Sequence, residues 1–188
     1  GLKAKEITQQ EIPASNLVFL IDVSGSMQDA NKLDLLKQGF SLLTNQLRAQ
    51  DKVSIVVYAG ASGVVLPPTQ GNDKATILAA LDKLTAGGST AGAEGIELAY
   101  KVAAENYKKN GNNRVILATD GDFNVGISTD DQLVKLIEEK RKSGVFLTVL
   151  GFGEGNLQAE KMEKLADNGN GNYAYVDNLM EAKKVLVN

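Results

Sequence analysis

Leu17-Val18-Phe19-Leu20-Ile21-Asp22-Val23-Ser24-Gly25-Ser26 is the stretch from which the fold is read. Five apolar residues in a row, without alternation, are what a strand covered on both faces requires. Immediately after them come one carboxylate and two hydroxyls at alternate positions, where the chain leaves the strand and bends toward a helix. Four more runs of the same kind follow, at 53–58, 115–118, 145–150 and 173–176. The segments between them carry a helical period. Leu36, Phe40, Leu43 and Leu47 share one face of a helix expected over about 31–48, and Ile96, Ala99, Ala103 and Tyr107 do the same after Thr90. Further helices are expected at about 73–84, 130–142, 157–167 and 178–187.

Strands alternating with helices predict an α/β fold, a three-layer αβα sandwich around a mostly parallel sheet. One departure is expected. The run at 63–66 ends in Pro67-Pro68, which cannot donate to a ladder, so it reads as a short antiparallel edge strand paired with 53–58. Thr129 with Gln132 has the form of a capping box, and Gly111, Gly144 and Gly169 fall where helices end and a left-handed residue is cheap. Residues 1–15 read as an N-terminal extension and 16–188 as one domain. Gly1 in place of an initiator methionine suggests a piece excised from a longer chain, which leaves open a leader or anchor upstream.

Composition narrows the chemistry. The 188 residues are 43% hydrophobic and 23% charged, with a net charge of −3 and scattered basic residues, so there is no electrostatic case for nucleic acid. The densest basic clusters, Lys108-Lys109 and Lys140-Arg141-Lys142, sit at expected helix ends, as dipole complements do. No apolar segment is long enough to span a bilayer. There is no cysteine and no histidine, which removes disulfides, thiol nucleophiles and histidine general bases together.

Oxygen donors remain. Thr90 lies in Gly87-Gly88-Ser89-Thr90 and Asp120 in Thr119-Asp120-Gly121, both in glycine-rich or strand-end settings. With Asp22, Ser24 and Ser26 they make an all-oxygen set, the chemistry of a hard divalent cation such as Mg²⁺. Asp22 and Asp120 fall at the carboxyl ends of expected strands, where open α/β sheets place their ligands. The Thr90 and Asp120 motifs alone are an ordinary helix entry and a strand-end turn, and Asp-x-Ser-x-Ser alone points only partway to a site; their joint occurrence in one sheet is not ordinary.

The sequence resembles a von Willebrand factor type A domain carrying a metal-ion-dependent adhesion site, and the run from Phe19 to Met27 is similar to its bacterial members. Asp22, Ser24 and Ser26 match the family's Asp-x-Ser-x-Ser, and Thr90 and Asp120 match its separate threonine and aspartate. The resemblance implies Mg²⁺ (alternatively Mn²⁺ or Ca²⁺) held directly by the serines, with the threonine and aspartates bound directly or through water. It further implies a partner protein or peptide that supplies an Asp or Glu carboxylate to the metal. A change between threonine and aspartate contact would link binding to helix movement. The compartment it suggests is the bacterial cell envelope or the exterior.

Other features have plainer readings. Asp120 to Asp131 imitates a calcium loop, but its glycine is one place late and position 12 is Asp131 rather than Glu. Asp122, Phe123 and Asn124 read as a partner-binding rim or as ordinary surface loop. Gly151, Gly153 and Gly155 lack dinucleotide spacing. Two alternatives stay open beside the binding module. A metal-assisted phosphohydrolase would need an acid/base two residues past its nucleophile, and Ser24 stands there. A structural interaction domain would bind its partner without metal.

Overall fold

The structure, a computed structural model, describes residues 12–59, 61–87, 92–121, 130–153 and 159–186. The strands are β1 (Ser15–Asp22), β2 (Lys52–Ala59), β3 (Ala61–Gln70), β4 (Asn112–Thr119), β5 (Phe146–Phe152) and β6 (Tyr173–Val176). The helices are α1 (Leu35–Gln46), α2 (Lys74–Asp82), α3 (Gly92–Glu105), α4 (Asp130–Lys140), α5 (Ala159–Asn168) and α6 (Leu179–Leu186). The strands form one sheet in the order β3-β2-β1-β4-β5-β6, parallel except for the β2–β3 pair. The three-layer sandwich expected from the sequence is the fold observed.

β1 shows why the sheet needs two covering layers. Its residues alternate between faces, and both faces are apolar. Leu17, Phe19 and Ile21 pack with Leu36 and Phe40 of α1, Ile77 and Leu81 of α2, and Ala182 of α6. Val18 and Leu20 pack with Ile96 and Ala99 of α3, Leu133 and Ile137 of α4, and Met162 and Leu165 of α5. Phe19 stacks on Phe40 with ring centroids 4.1 Å apart and planes 7° from parallel. A polar residue inside either face would lose both hydration and packing.

Several expectations change in detail. β3 is ten residues long rather than short, and Pro67 and Pro68 lie inside it. The ladder passes from Val53↔Thr69 to Ile55↔Leu66, so its irregularity falls at the prolines, on an edge where no second strand asks for their donors. Chain enters α1 through a 3-10 turn, Gly25–Gln28, and a π-helical turn, Ala30–Asp34. Tyr107 lies past the end of α3 and is 48% exposed; the buried aromatic of that helix is Tyr100. Gly144 is left-handed, at φ 84°, as expected. At the other two helix ends the left-handed residues are Asn110 and Asn170. Gly111 and Gly169 serve close approach instead: a Cβ there would lie 2.6 Å from the Ala14 carbonyl oxygen and 2.5 Å from Leu147 Cβ. Thr129 of the expected capping box lies outside the described residues.

Candidate metal centre

From β1 the chain crosses to β2 on one side and later returns to β4 on the other. The carboxyl ends of β1 and β4 therefore lie side by side, Ile21 opposite Ala118, where successive connections diverge. Asp22 ends β1, Thr119 ends β4, and Asp120 follows it. The architecture thus brings two carboxylates from distant sequence to one rim.

Asp22 is fully buried. Its Oδ1 accepts a 2.9 Å hydrogen bond from the Ser24 amide, and its Oδ2 accepts one of 2.9 Å from the Thr119 hydroxyl. Thr119 Oγ1 in turn accepts from the Gly121 amide, at 3.3 Å. These bonds fix the carboxylate between the two strand ends. Ser24 and Ser26 bring their hydroxyl oxygens to 3.0 Å of each other, with Ser26 held in the 3-10 turn that the Met27 amide closes on the Ser24 carbonyl.

Asp120 keeps a side chain only 4% exposed and receives the Lys32 ammonium on Oδ2 at 3.1 Å. The same ammonium donates to the Ser26 carbonyl at 2.9 Å and lies 3.6 Å from the exposed carboxylate of Asp29. Lys32 therefore ties the β1 turn, which carries both serines, to the end of β4. Four of the five expected ligands, Asp22, Ser24, Ser26 and Asp120, belong to this one bonded cluster.

Thr90 lies outside the described residues, as do Asp122, Phe123 and Asn124 of the expected rim. The described part of the Thr90 loop is joined to the cluster: the Gly87 amide donates to the Val23 carbonyl at 2.7 Å. Beyond the loop, α3 sits close to the site. A Cβ on Gly95 would lie 3.0 Å from Tyr58 Cβ, and Tyr58 is the β2 partner of Asp22.

The electrostatics of this rim are set by two neighbouring carboxylates, one of them buried. Burial raises the Asp22 pKa above the ordinary carboxylate value, and the neighbouring Asp120 charge raises it further; the Ser24 and Thr119 hydrogen bonds pull the other way. Burial pushes the Tyr58 phenol well up, with the Asp22 charge adding to it, so Tyr58 is a neutral wall of the site. Among the described residues no three carboxylates converge. A cation here would complete its shell from hydroxyls and water, as Mg²⁺ does. The donors present fit such an ion: hard oxygens, two of them neutral, beside a carboxylate whose charge the protein interior disfavours.

Sequence reading missed three residues of the cluster. Lys32 stands six residues beyond Ser26 in the next helical turn, and a lysine there looks like any surface lysine. Thr119 was visible as a hydroxyl closing an apolar strand. Tyr58 carried no signal beyond its place at a strand end.

The chain belongs to the von Willebrand factor type A domain family, whose profile matches residues 16–187. This family is one of general protein-interaction modules. The YfbK protein of Escherichia coli (strain K12) is 50% identical over 183 residues, covering 97% of this chain and 32% of that protein. The sll0103 protein of Synechocystis is 29% identical over 167 residues, covering 89% of this chain and 39% of that protein. The chain thus spans about a third of the length of the curated relatives it matches. Among solved structures, BatB from Bacteroides thetaiotaomicron superposes with a TM-score of 0.76 at 22% identity, over 92% of this chain and 95% of that one. A von Willebrand factor type A protein from Catenulispora acidiphila gives 0.76 at 20% identity, over 93% and 41%. At these identities the likeness speaks for the fold alone. Among the described residues no helix is long and apolar enough to cross a membrane.

Proposed function

We propose that this domain is a divalent-metal-dependent binding module, whose metal is held by Asp22, Ser24, Ser26, Thr90 and Asp120 and recognises a carboxylate of a partner protein. The observation that carries the reading is the pair of neutral hydroxyls 3.0 Å apart beside the buried Asp22, whose charge the interior disfavours. A bound Mg²⁺ would supply an electrophilic centre with exchangeable water, at which an Asp or Glu side chain can replace a solvent ligand.

The protein's own residues do the rest. Asp22 is oriented by the Ser24 amide and the Thr119 hydroxyl, so both its oxygens are fixed before any ion arrives. Tyr58, neutral and buried, stands on β2 beside Asp22 and adds no charge to the site. Two carboxylates balance one dication, which leaves a nearly neutral centre able to accept one more carboxylate. The 50% identical relative in Escherichia coli supports placing the chain with bacterial members of the family.

Titration calorimetry with Mg²⁺ tests this. Wild type is expected to take up one ion per chain and Asp22→Ala none, with unchanged far-UV circular dichroism. Equal uptake by both proteins would contradict the reading. Addition of an acidic peptide or acetate to the Mg²⁺-loaded protein, monitored through Mn²⁺ relaxation after exchange, checks the vacant position.

A further inference from the structure

Lys32 reaches the metal centre from outside the ligand set, and its geometry is built rather than incidental. Its side chain is 17% exposed, and its ammonium contacts Asp120 Oδ2 at 3.1 Å and the Ser26 carbonyl at 2.9 Å. Its stem lies against Gly153, the residue that follows β5: a Cβ on Gly153 would come within 2.6 Å of Lys32 Cε. Gly153 is left-handed, at φ 90°, and its carbonyl accepts a hydrogen bond from the Tyr175 hydroxyl of edge strand β6. The lysine stem thus lies against the residue after β5 while its ammonium joins the β1 turn to the end of β4. A second acceptor waits beside it. Asp29 Oδ2 is 3.6 Å from the ammonium and the Asp29 side chain is 73% exposed, so it points toward solvent rather than into the site.

We propose that Lys32 is the built-in counter-cation of the metal-free site, which an arriving divalent ion displaces from Asp120 toward Asp29. The inference rests on the metal-binding reading above and adds a residue to it. Two largely buried carboxylates, Asp22 and Asp120, repel each other without a positive charge nearby, and a tethered ammonium supplies one. A dication and an ammonium cannot share Asp120 without repulsion, so loading requires the ammonium to retreat. Lys32 then sets the threshold of metal concentration at which the domain becomes competent to bind. A lysine that merely positioned Asp120 as a ligand would have the opposite effect on affinity.

The two roles separate in one experiment. Mg²⁺ is titrated calorimetrically into wild type, Lys32→Met and Asp29→Asn, and each protein is also melted in chelator. Lys32→Met is expected to bind Mg²⁺ about tenfold more tightly, the scale of one charge-assisted hydrogen bond no longer surrendered on loading. It should melt lower than wild type in chelator and recover in Mg²⁺. Asp29→Asn, which removes the exposed acceptor, is expected to weaken Mg²⁺ binding by about twofold. Equal or weaker binding by Lys32→Met overturns the proposal while leaving the metal site standing. Uptake by neither wild type nor variant overturns the metal site itself and this inference with it. Should Lys32→Met not fold, Lys32→Gln and Asp29→Asn carry the test, and an Asp29→Asn protein binding as tightly as wild type overturns it.

Discussion

The two ends of the central sheet hold buried carboxylates in opposite ways. At the amino end Asp51 is closed off by structure. Its Oδ1 accepts from the Ser15 amide and the Arg48 guanidinium, and its Oδ2 from the Arg48 amide and Nε, at 2.8–3.3 Å. Arg48 also donates to the Ile12 and Pro13 carbonyls, fastening the segment that leads into β1. At the carboxyl end Asp120 is paired with one lysine, while Asp22 is held only by an amide and a hydroxyl, beside two serine hydroxyls that face each other. One cluster is matched charge for charge by the chain itself. The other is short of positive charge and rich in neutral oxygen. Buried polar groups that serve the fold are satisfied internally, whereas those that serve a ligand are arranged toward something the chain does not provide.

Substitutions at the two ends should therefore fail differently. The largest effect on metal affinity at the Lys32 side of the site is expected at Asp120→Ala, which removes a proposed ligand and the Lys32 partner together; Mg²⁺ affinity should fall by a hundredfold or more in calorimetry. Asp51→Ala should leave Mg²⁺ binding intact and cost about 2 kcal/mol in urea unfolding, because the partly exposed Arg48 guanidinium and two amides lose their buried acceptor. If Asp51→Ala changed metal affinity as strongly as stability, the division between the two ends would be wrong. Ser24→Ala should weaken Mg²⁺ by about tenfold, one neutral ligand of several, with little change in urea midpoint in chelator.

The smallest effect is also the most pointed. Asp22 has its pKa raised by burial, so its ionised form is a cost that the folded chain bears and the unfolded chain does not. In chelator, Asp22→Asn should therefore match or exceed wild-type stability at neutral pH, even though it abolishes metal uptake. The sign follows from linkage. Between the raised folded value and the ordinary 3.8, the folded chain holds more protons, so this group adds stability to wild type as pH falls through that window, and the asparagine variant lacks the gain. Asp51→Asn offers the contrast and should only destabilise.

Much of this was legible in the sequence, for reasons that differ by residue. The sheet was legible because Leu17 to Ile21 is an unbroken apolar run of strand length that ends in turn residues, as a strand buried on both faces does. The two aspartates were legible because each follows such a run, and the parallel topology then forces strand ends together. Lys32 was not, since its role depends on Gly153 and Asp120, 121 and 88 residues away, coming within reach of its stem. Asn110 and Asn170 escaped because the adjacent glycines advertise left-handed geometry more loudly, although steric approach is what those glycines supply. Pro67 and Pro68 suggested that β3 stops early. A long edge strand tolerates them because its outer donors face no partner.

The most direct test is a crystal structure of the domain grown in Mn²⁺ and examined for anomalous scattering. The account predicts one strong peak between the Ser24 and Ser26 hydroxyls and Asp120, with the Lys32 ammonium moved off Asp120. Crystals with no such peak and with Lys32 still bonded to Asp120 at saturating metal would contradict it.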